Sequence, residues 1–395
     1  MNMALPSFVC RAITLLNDAG YDAYVVGGCV RDYLMAKTPM DWDITTSALP
    51  EETLAVFDDY RTITTGLQHG TVTVLIEDVP LEITTYRVDG SYSDGRHPDS
   101  VTFTPSLEED LRRRDFTMNA MAYHPKTGLV DPFNGREDIQ HRTIRCVGTP
   151  IKRFTEDALR ILRGLRFAST LGFCLEEETA QAIHQLASSL RLVSVERITA
   201  EWKRLICGVA ATDILVEYAD VITVFLPEIE CGLPRNRISS LSPDVLLRSA
   251  ALFYDAKVST DDAERALCRM RWDTQTVRNI TRLLSVEIPA SHSGDGYLLR
   301  LLNFLEPALI WHYFSLKDTD ASLVQRTQEL ISSNACYKVS MLAVNGADLA
   351  ALGITPGPEL GTLLQELLYA VMDGVCDNSK ETLIEYIRNQ KKPVQ

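Results

Sequence analysis

Asp41 and Asp43, two aspartates separated by one tryptophan, are the residues whose types and spacing most directly indicate catalysis. Residues two apart on a β-strand point to the same side. With a strand predicted over Trp42–Thr46, we therefore expect the two carboxylates on one face. Neighbouring carboxylates suit Mg²⁺, which proteins hold with one or two carboxylates together with substrate phosphates. A solvated strand end would look the same, so the pair needs support from its surroundings.

Two glycines and an arginine shortly before this pair supply that support. A strand is predicted over Asp22–Val26, followed by Gly27 and Gly28 and then by a helix over Val30–Ala36. Backbone N–H groups at the start of a helix bind anions, and Arg31 adds a fork-shaped donor for phosphate oxygens. A tight turn with positive φ would also need such glycines. A phosphate-binding turn followed by paired carboxylates is nevertheless the layout that metal-assisted nucleotidyl transfer requires.

The elements that must position these residues form an α/β segment over roughly the first 140 residues. Alternating apolar residues predict strands over Thr71–Val74 and Leu81–Tyr86. A polar, glycine-containing loop, Arg87–Ser100, follows them. From about Phe154 onward amphipathic helices dominate, and the turn Gly353–Pro358 interrupts the last of them. The sequence thus predicts an α/β head followed by a long helical remainder.

Composition describes an acidic globular protein of 395 residues, 46% apolar and 23% charged. Such values exclude a disordered or collagen-like chain. We find no signal-like N-terminus and no apolar run of about 18 residues, and the nine cysteines are scattered singly. We therefore expect a cytoplasmic protein with reduced thiols and no membrane association.

The net charge of −14 by itself argues against a nucleic-acid partner. The distribution of charge along the chain changes this conclusion. The segment from Leu111 to Arg166 contains 12 basic and 6 acidic residues, a net charge of +6. The remainder has 27 basic and 47 acidic residues, a net charge of −20. A positive band of this size suits a triphosphate and a short nucleic-acid end.

Five ordered motifs between about residues 20 and 205 resemble those of the class II tRNA nucleotidyltransferase and bacterial poly(A) polymerase family, within the polymerase-beta superfamily. They are Gly27–Glu52, Arg112–Ala122, Val130–Gly135, Arg153–Arg160 and Ser194–Ile198. The resemblance implies an α+β protein whose N-terminal polymerase-beta-like nucleotidyltransferase head, a mixed sheet with helices, precedes an elongated all-α neck, body and tail. The implied boundaries are 1–140 for the head, 141–205 for the neck with the nucleotide-reading motif, 206–335 for the body and 336–395 for a tRNA-binding tail.

The resemblance also implies roles for individual residues. Asp41 and Asp43 would be catalytic and would bind Mg²⁺. Glu82 is a candidate third catalytic carboxylate, although an exposed strand glutamate explains it equally well. The implied nucleotide-binding residues are Gly28, Arg31, Arg114, Asp157, Arg160, Arg163 and Arg166.

Hydrogen-bond chemistry supports the base-reading pair within this set. With Glu156–Arg166 on one helix, Asp157 and Arg160 are neighbours at three-residue spacing. A carboxylate accepts a hydrogen bond from the exocyclic amine of C or A, and a guanidinium donates to the adjacent ring nitrogen. U and G present the reverse pattern and would leave buried polar groups unpaired. An amphipathic helix with a solvated basic face would explain the arginines alone.

The implied activity is template-independent addition of C, C and A to the 3′ end of tRNA from CTP and ATP, with release of pyrophosphate. Thr65–Val72 replaces the arginine-rich motif typical of poly(A) polymerases, and the loop Arg87–Ser100 argues against an enzyme that adds only C. Two alternative activities remain, that of a tRNA nucleotidyltransferase that adds only A and that of a poly(A) polymerase. Intact Asp41 and Asp43 disfavour a catalytically dead RNA-binding protein. No obligate protein partner is predicted.

Overall fold

The structure, a computed structural model, describes residues 3–90, 100–229, 237–287 and 294–390. The chain divides into two compact units, Met1–Val245 and Leu246–Gln395. The first contains a mixed sheet with helices, and the described part of the second is helical. This confirms the expected α+β class. None of the described helices combines the length and apolar character that crossing a membrane requires.

A seven-stranded sheet with spatial order β3-β4-β5-β2-β1-β8-β9 organises the first unit. Strand β2 runs parallel to β5, and the other neighbours in this sheet are antiparallel. Two small pairs, β6 with β7 and β10 with β11, complete the described strands. The strands are β1 (Ala23–Val26), β2 (Asp43–Thr46), β3 (Arg61–Ile63), β4 (Thr71–Ile76), β5 (Val79–Thr85), β6 (Arg87–Asp89), β7 (Val101–Phe103), β8 (Ala122–His124), β9 (Gly128–Val130), β10 (Thr143–Ile144) and β11 (Cys174–Leu175).

In these strands, buried apolar residues alternate with more exposed ones, so that one face of the strand packs against the core. In β4, Val72, Val74 and Ile76 are buried while the residues between them are half-buried. This is the period-2 pattern of a strand that lies against a core. The strands predicted around residues 71–74 and 81–86 are confirmed. The strand predicted from Trp42 begins one residue later, at Asp43.

Eleven described helices cover the sheet and continue beyond it. In the first of them, Val9, Ala12, Ile13 and Leu16 form the buried stripe of an amphipathic helix. The helices are α1 (Ser7–Asp18), α2 (Gly28–Leu34), α3 (Pro50–Val56), α4 (Leu107–Arg112), α5 (Gly135–Gln140), α6 (Pro150–Glu156), α7 (Leu159–Leu171), α8 (Glu177–Leu186), α9 (Val195–Ile206), α10 (Ala211–Glu217) and α11 (Ala219–Ile222).

Two of these helices differ from their predicted bounds. Helix α2 begins at Gly28 and ends at Leu34, two residues earlier than predicted at each end, and Ala36 beyond it has a positive φ of 55°. The continuous helix predicted over Glu156–Arg166 is wrong. Asp157 has extended backbone angles (φ −142°, ψ 105°) and separates α6 from α7. Its carboxylate accepts a hydrogen bond from the Leu159 N–H at 3.0 Å, the local bond by which Asp favours a helix start over a helix interior.

The segment predicted as a loop over Arg87–Ser100 contains strand at its beginning. Arg87 lies opposite Phe103 and Asp89 opposite Val101 in the antiparallel pair β6–β7. The Gly90 N–H continues this ladder by donating to the carbonyl of Ser100. The centre of the predicted loop, residues 91–99, lies outside the described residues.

The second unit consists of packed helices around apolar clusters. In one cluster Val344, Leu349, Leu367 and Leu383 are buried together. Within α15, Glu306 has a φ of 63° and precedes Pro307, which marks a kink between two helical halves. The turn predicted at 353–358 is confirmed between the sixth and seventh helices. The helices are α12 (Val245–Asp255), α13 (Thr260–Arg269), α14 (Thr274–Leu284), α15 (Gly294–Lys317), α16 (Ala321–Ser332), α17 (Gly346–Ala351), α18 (Pro358–Met372) and α19 (Lys380–Gln390).

Candidate active site

Asp41, Asp43 and Glu82 line one cleft of ≈ 570 Å³ at the edge where β2 begins. The parallel pairing of β2 with β5 places Asp43 directly opposite Glu82, so the two side chains share a face of the sheet. Asp41 precedes the strand and reaches the same cleft. Trp42 lines this cleft too, and it also lines a neighbouring cavity.

The electrostatics of the cleft are those of three competing carboxylates. Loss of contact with water and the negative charge of Glu82 raise the pKa of Asp43. The positive charge of Arg114 lowers this pKa, and the negative charge of Asp41 raises it. The net pKa lies above the ordinary value for aspartate. Ionised Asp43 is therefore less favourable here than in water, and a cation in the cleft would relieve that cost.

The residues of the cleft fit a divalent cation that is coordinated by both the protein and the substrate. Carboxylate oxygens are hard ligands, and Asp43 has unfavourable negative neighbours that a cation would neutralise. Among the residues that the structure describes, no group of three His, Cys, Asp or Glu side chains is arranged to enclose a metal ion. The two aspartates in this cleft are of the ligand type that Mg²⁺ takes in proteins together with substrate phosphates.

The glycine turn before α2 lies against two arginines. Gly27 has φ 81° and ψ −129°, a conformation available essentially to glycine alone. A Cβ atom on Gly27 would lie 3.1 Å from Nη1 of Arg114, and one on Gly28 would lie 3.6 Å from Nη2 of Arg31. Arg31 is held in place because its Nη1 donates to Asn119 Oδ1 at 2.7 Å. The predicted phosphate-binding residues Gly28, Arg31 and Arg114 therefore lie together.

We expect Gly27→Ala to raise the KM for nucleotide substrates about tenfold, because the new Cβ would displace the guanidinium of Arg114, a predicted nucleotide-binding residue. Gly128→Ala is the matched control. Gly128 also has a positive φ (83°), but nothing lies within 4 Å of its Cβ position. Steady-state kinetics on both variants separates backbone strain from the loss of the arginine contact. Equal KM values in the two variants would contradict the assignment.

Asp110 is a positioning residue for this region that sequence reasoning missed. Its side chain is fully buried. It accepts hydrogen bonds from Thr45 on β2 at 3.1 Å, from Arg113 at 2.9 Å and from Arg114 at 3.5 Å. Burial raises the pKa of Asp110, but the charges of Arg113 and Arg114 outweigh burial and leave the pKa below its ordinary value. One buried carboxylate thus ties the carboxylate-bearing strand to the arginines.

Asp115 links the glycine turn to α7 and was also missed. It forms an ion pair with Arg163 (Nη2–Oδ2 2.7 Å) and accepts hydrogen bonds from the Phe116 N–H and from Asn119, the residue that holds Arg31. Burial raises the pKa of Asp115, but the charge and hydrogen bond of Arg163 outweigh burial and lower the pKa to about 2. The Asp at the end of the Arg112–Asp115 run was the available signal, although its partner lies 48 residues away.

We expect Asp115→Ala to lower the thermal unfolding midpoint at pH 7, because it removes the partner of Arg163. The folded pKa of about 2 lies below the ordinary 3.8, so the stabilisation, about 2 kcal/mol, is present above pH 4. It is lost as the pH falls toward 2. The midpoint difference from wild type should therefore shrink over that range, measured by circular dichroism. The exposed Asp58→Ala is the control, and a pH-independent difference would contradict the ion-pair account.

The two predicted base-reading residues lie close in sequence but bind different partners. Asp157 Oδ2 pairs with Nη2 of Arg197 on α9 at 2.7 Å. Arg160 is 9% exposed; its Nη1 donates to Glu156 Oε2 at 2.6 Å and its Nη2 to the carbonyl of Arg113 at 3.2 Å. The two side chains were predicted to be neighbours on one helix. Instead, Asp157 forms an ion pair with Arg197, and Arg160 forms one with Glu156.

Arg163 and Arg166 are joined by Glu201 of α9. Glu201 accepts from Arg166 Nε at 2.8 Å and lies 3.5 Å from Arg163 Nη1. Arg166 also stacks on the ring of Phe167, with its Cζ 3.5 Å from the ring centroid. Glu201 is buried and was not predicted. The basic face of α7 is therefore a network of ion pairs rather than a solvated surface.

A second cavity, of ≈ 330 Å³, lies beside the nucleotide-reading segment. Its lining is predominantly basic, with two glutamates that include the partner of Arg160. The residues are Val88, Glu109, Arg112, Arg113, Lys152, Arg153 and Glu156. Such a lining favours an anionic ligand.

Comparison with protein families divides the chain in the same order as its motifs. Residues 23–145 match the Poly A polymerase head domain. Residues 172–231 match the RNA and SrmB-binding site of polymerase A, and residues 248–387 match tRNA nucleotidyltransferase domain 2. Together these models cover both compact units.

Similarity to individual proteins extends over nearly the whole chain. The CCA-adding enzyme of Leuconostoc mesenteroides is 37% identical over 388 residues, which cover 96% of each chain. That of Enterococcus faecalis is 37% identical over 396 residues, covering 95% of this chain and 94% of its own.

Solved structures extend this similarity to the fold. The Bacillus stearothermophilus CCA-adding enzyme in complex with CTP superposes with a TM-score of 0.81 at 34% identity, covering 99% of this chain and 100% of that one. The Thermotoga maritima CCA-adding enzyme complexed with tRNA has a TM-score of 0.66 at 20% identity and covers 98% and 97%, a likeness of fold. With full-length identity above one third and the motifs in order, the chain belongs to the CCA-adding enzyme family of tRNA nucleotidyltransferases.

Proposed function

We propose that this chain adds C, C and A in turn to the 3′ end of tRNA, using CTP and ATP and releasing pyrophosphate. The observation that carries the proposal is the cleft in which Asp41, Asp43 and Glu82 meet, within reach of the positive charge of Arg114. Nucleotidyl transfer needs carboxylates for metal and cations for phosphate side by side. Full-length similarity to CCA-adding enzymes, one of them solved with CTP, supports the choice of substrates.

In the proposed reaction, the 3′-oxygen of tRNA forms a bond to the α-phosphorus of the nucleotide. The bond from that phosphorus to the bridging oxygen of pyrophosphate breaks, and the hydroxyl proton leaves to solvent. Asp41 and Asp43 would hold Mg²⁺, which when bound neutralises phosphate charge and favours ionisation of the attacking hydroxyl. Glu82, opposite Asp43 on β5, is the third carboxylate available to the site.

The arginines would bind and orient the triphosphate. Arg31 and Arg114 lie against the glycine turn. Asn119 and Asp110 hold these two arginines in position before the nucleotide arrives. Such preorganisation keeps the cost of ordering side chains out of the binding step.

Base selection is assigned to Asp157 and Arg160. A carboxylate that accepts from the exocyclic amine and a guanidinium that donates to the ring nitrogen select C and A over U and G. We propose that Glu156, which accepts a hydrogen bond from Nη1 of Arg160 at 2.6 Å, fixes the guanidinium of Arg160 for this role. Arg163 and Arg166, which are held by Glu201, would add positive charge beside this pair.

We further propose the four-part division into head (1–140), neck (141–205), body (206–335) and tail (336–395). In this division the two C-terminal parts would hold tRNA through its backbone and shape. Proteins read A-form RNA largely in this manner, because its major groove is too deep and narrow for side chains to reach the bases.

Two substrates separate the proposed activity from its alternatives. One is a tRNA that lacks all three terminal nucleotides, and the other is a tRNA that ends in CC. With single labelled nucleotides and Mg²⁺, we expect C on the first and one A on the second. A alone, and only on the second, would favour an A-adding enzyme, and a long A tail would favour poly(A) polymerase.

A further inference from the structure

Arg197 makes the ion pair that orients the proposed base-reading carboxylate. Its Nη2 lies 2.7 Å from Asp157 Oδ2, and both side chains are largely buried, with 23% and 14% exposed. The other carboxylate oxygen, Oδ1, accepts from the Leu159 N–H at 3.0 Å. Each oxygen of Asp157 is thus engaged once, by donors from two different helices.

This pattern fixes the carboxylate while leaving it able to accept more hydrogen bonds. A carboxylate offers about four acceptor sites on its two oxygens, and these contacts use one on each. The guanidinium of Arg160 is bound to Glu156 and to the backbone carbonyls of Arg153 and Arg113. Without Arg197, the Asp157 side chain would keep only the local contact to Leu159 among these restraints.

The position of Arg197 in its own helix shows that the helix does not need it. Arg197 is the third residue of α9, in the first turn. The N-terminal end of a helix carries partial positive charge, so a cation there is unfavourable for the helix itself. The ion pair with Asp157 offsets this cost, and a role in helix stability alone would not select arginine at this position.

Helix α9 also holds the neighbouring arginines. Glu201, four residues after Arg197 and therefore on the same face, binds Arg163 and Arg166. One face of α9 thus contacts Asp157 through a cation and the arginines of α7 through an anion. Helix α9 therefore supplies a charged partner to Asp157 and a shared one to the two arginines of α7.

We propose that Arg197 is a specificity-determining positioning residue, which holds Asp157 in the orientation that accepts the amine of C or A. The inference rests on the proposed base-reading role of Asp157. Arg197 acts through Asp157 and does not itself contact the reacting atoms. Its removal should therefore impair the choice of nucleotide more than the rate of chemistry.

The test is the ratio of kcat/KM for CTP to that for UTP on tRNA lacking its terminal nucleotides. We expect Arg197→Met to lower this ratio about tenfold or more, with a raised KM for CTP and a kcat changed by less than about threefold. Arg197→Lys keeps the charge but loses the planar fork, so its ratio should fall between those of wild type and Arg197→Met. Arg204→Met, an equal change of charge at an exposed position of α9, should leave the ratio at the wild-type value.

A double variant tests whether Arg197 acts through Asp157. In an Asp157→Ala background, Arg197→Met should change the ratio no further, because the group it positions is gone. Additive losses would overturn the proposal, as would a wild-type ratio in Arg197→Met. If Arg197→Met does not fold at the assay temperature, Arg197→Lys decides: a ratio at least about threefold below wild type supports the proposal and a wild-type ratio overturns it.

Failure of this inference and failure of the proposed function give different results. If wild type adds C, C and A but Arg197→Met discriminates as well as wild type, only the role of Arg197 is wrong. If wild type adds nothing, or does not distinguish CTP from UTP, the proposed function itself is contradicted, and the role of Arg197 with it.

Discussion

Replacing Asp43 with asparagine should reduce nucleotide addition by at least about 10²-fold while leaving the protein as stable as wild type or more so. The loss of activity follows because the neutral amide is a poorer ligand for a divalent cation than the carboxylate that faces Glu82. The stability result follows from the raised pKa of Asp43. A carboxyl group whose pKa is raised by folding disfavours the folded state once the pH exceeds its unfolded pKa, and asparagine removes that cost at neutral pH.

Single-turnover incorporation and thermal unfolding of the same preparations measure both effects. Asp78→Asn, at the exposed turn between β4 and β5, makes the same chemical change on the same sheet and should alter neither quantity. An Asp43→Asn protein that retains near wild-type activity would contradict the assignment of Asp43 to the metal. A marked fall in its unfolding midpoint would contradict the electrostatic account of the cleft.

Replacing Asp157 with alanine should reduce discrimination against UTP by about 10²-fold while leaving metal binding intact. A site built to hydrogen-bond a particular base edge rejects other bases because their polar groups would stay unpaired. The alanine variant lacks the acceptor to which we assign this selection. The side chain also caps α7, so a moderate loss of stability accompanies the change, about 1 kcal/mol.

Competition between labelled CTP and UTP measures the discrimination, and the Mg²⁺ concentration giving half-maximal activity reports on the metal. Glu178→Ala, which removes an exposed carboxylate from α8, is the control for general loss of negative charge. Should Asp157→Ala still reject UTP as wild type does, the base-reading assignment would be wrong. A shift in the Mg²⁺ requirement would instead place Asp157 in the metal site.

The local features of the head could be predicted from the sequence because short-range signals determine them. Alternating apolar residues indicated the strand that carries Glu82, and adjacent glycines indicated the turn before Arg31. A strand was also predicted over the segment that carries Asp43. The register between β2 and β5, which brings Asp43 opposite Glu82, was not in those signals. It depends on which strands pair across the sheet.

The break at Asp157 shows where periodicity misleads. The apolar spacing around it suits one continuous helix, and the competing hydrogen bond from Leu159 to the Asp157 side chain is invisible to a period of 3.6 residues. An aspartate in a helical pattern was the available warning, since this side chain competes with helical backbone bonds.

Long-range ion pairs were beyond prediction for a different reason. Arginines are the partners of three buried carboxylates, Asp110, Asp115 and Glu201. The chain contains many arginines, and the sequence does not indicate which of them pairs with which carboxylate. Asp157 finds its partner 40 residues away in Arg197, and Asp110 bonds Thr45 at a separation of 65. Such choices are made by tertiary packing, which also excludes water from the pairs and gives them their strength.

The order of nucleotides added to a truncated tRNA tests the proposed activity. A tRNA lacking its three terminal nucleotides is incubated with all four nucleoside triphosphates and Mg²⁺, and the 3′ ends of the products are sequenced. We expect C, C and A in that order, then termination, with U and G absent. An unextended tRNA, a product ending in a run of A, or incorporation of U or G would contradict the account.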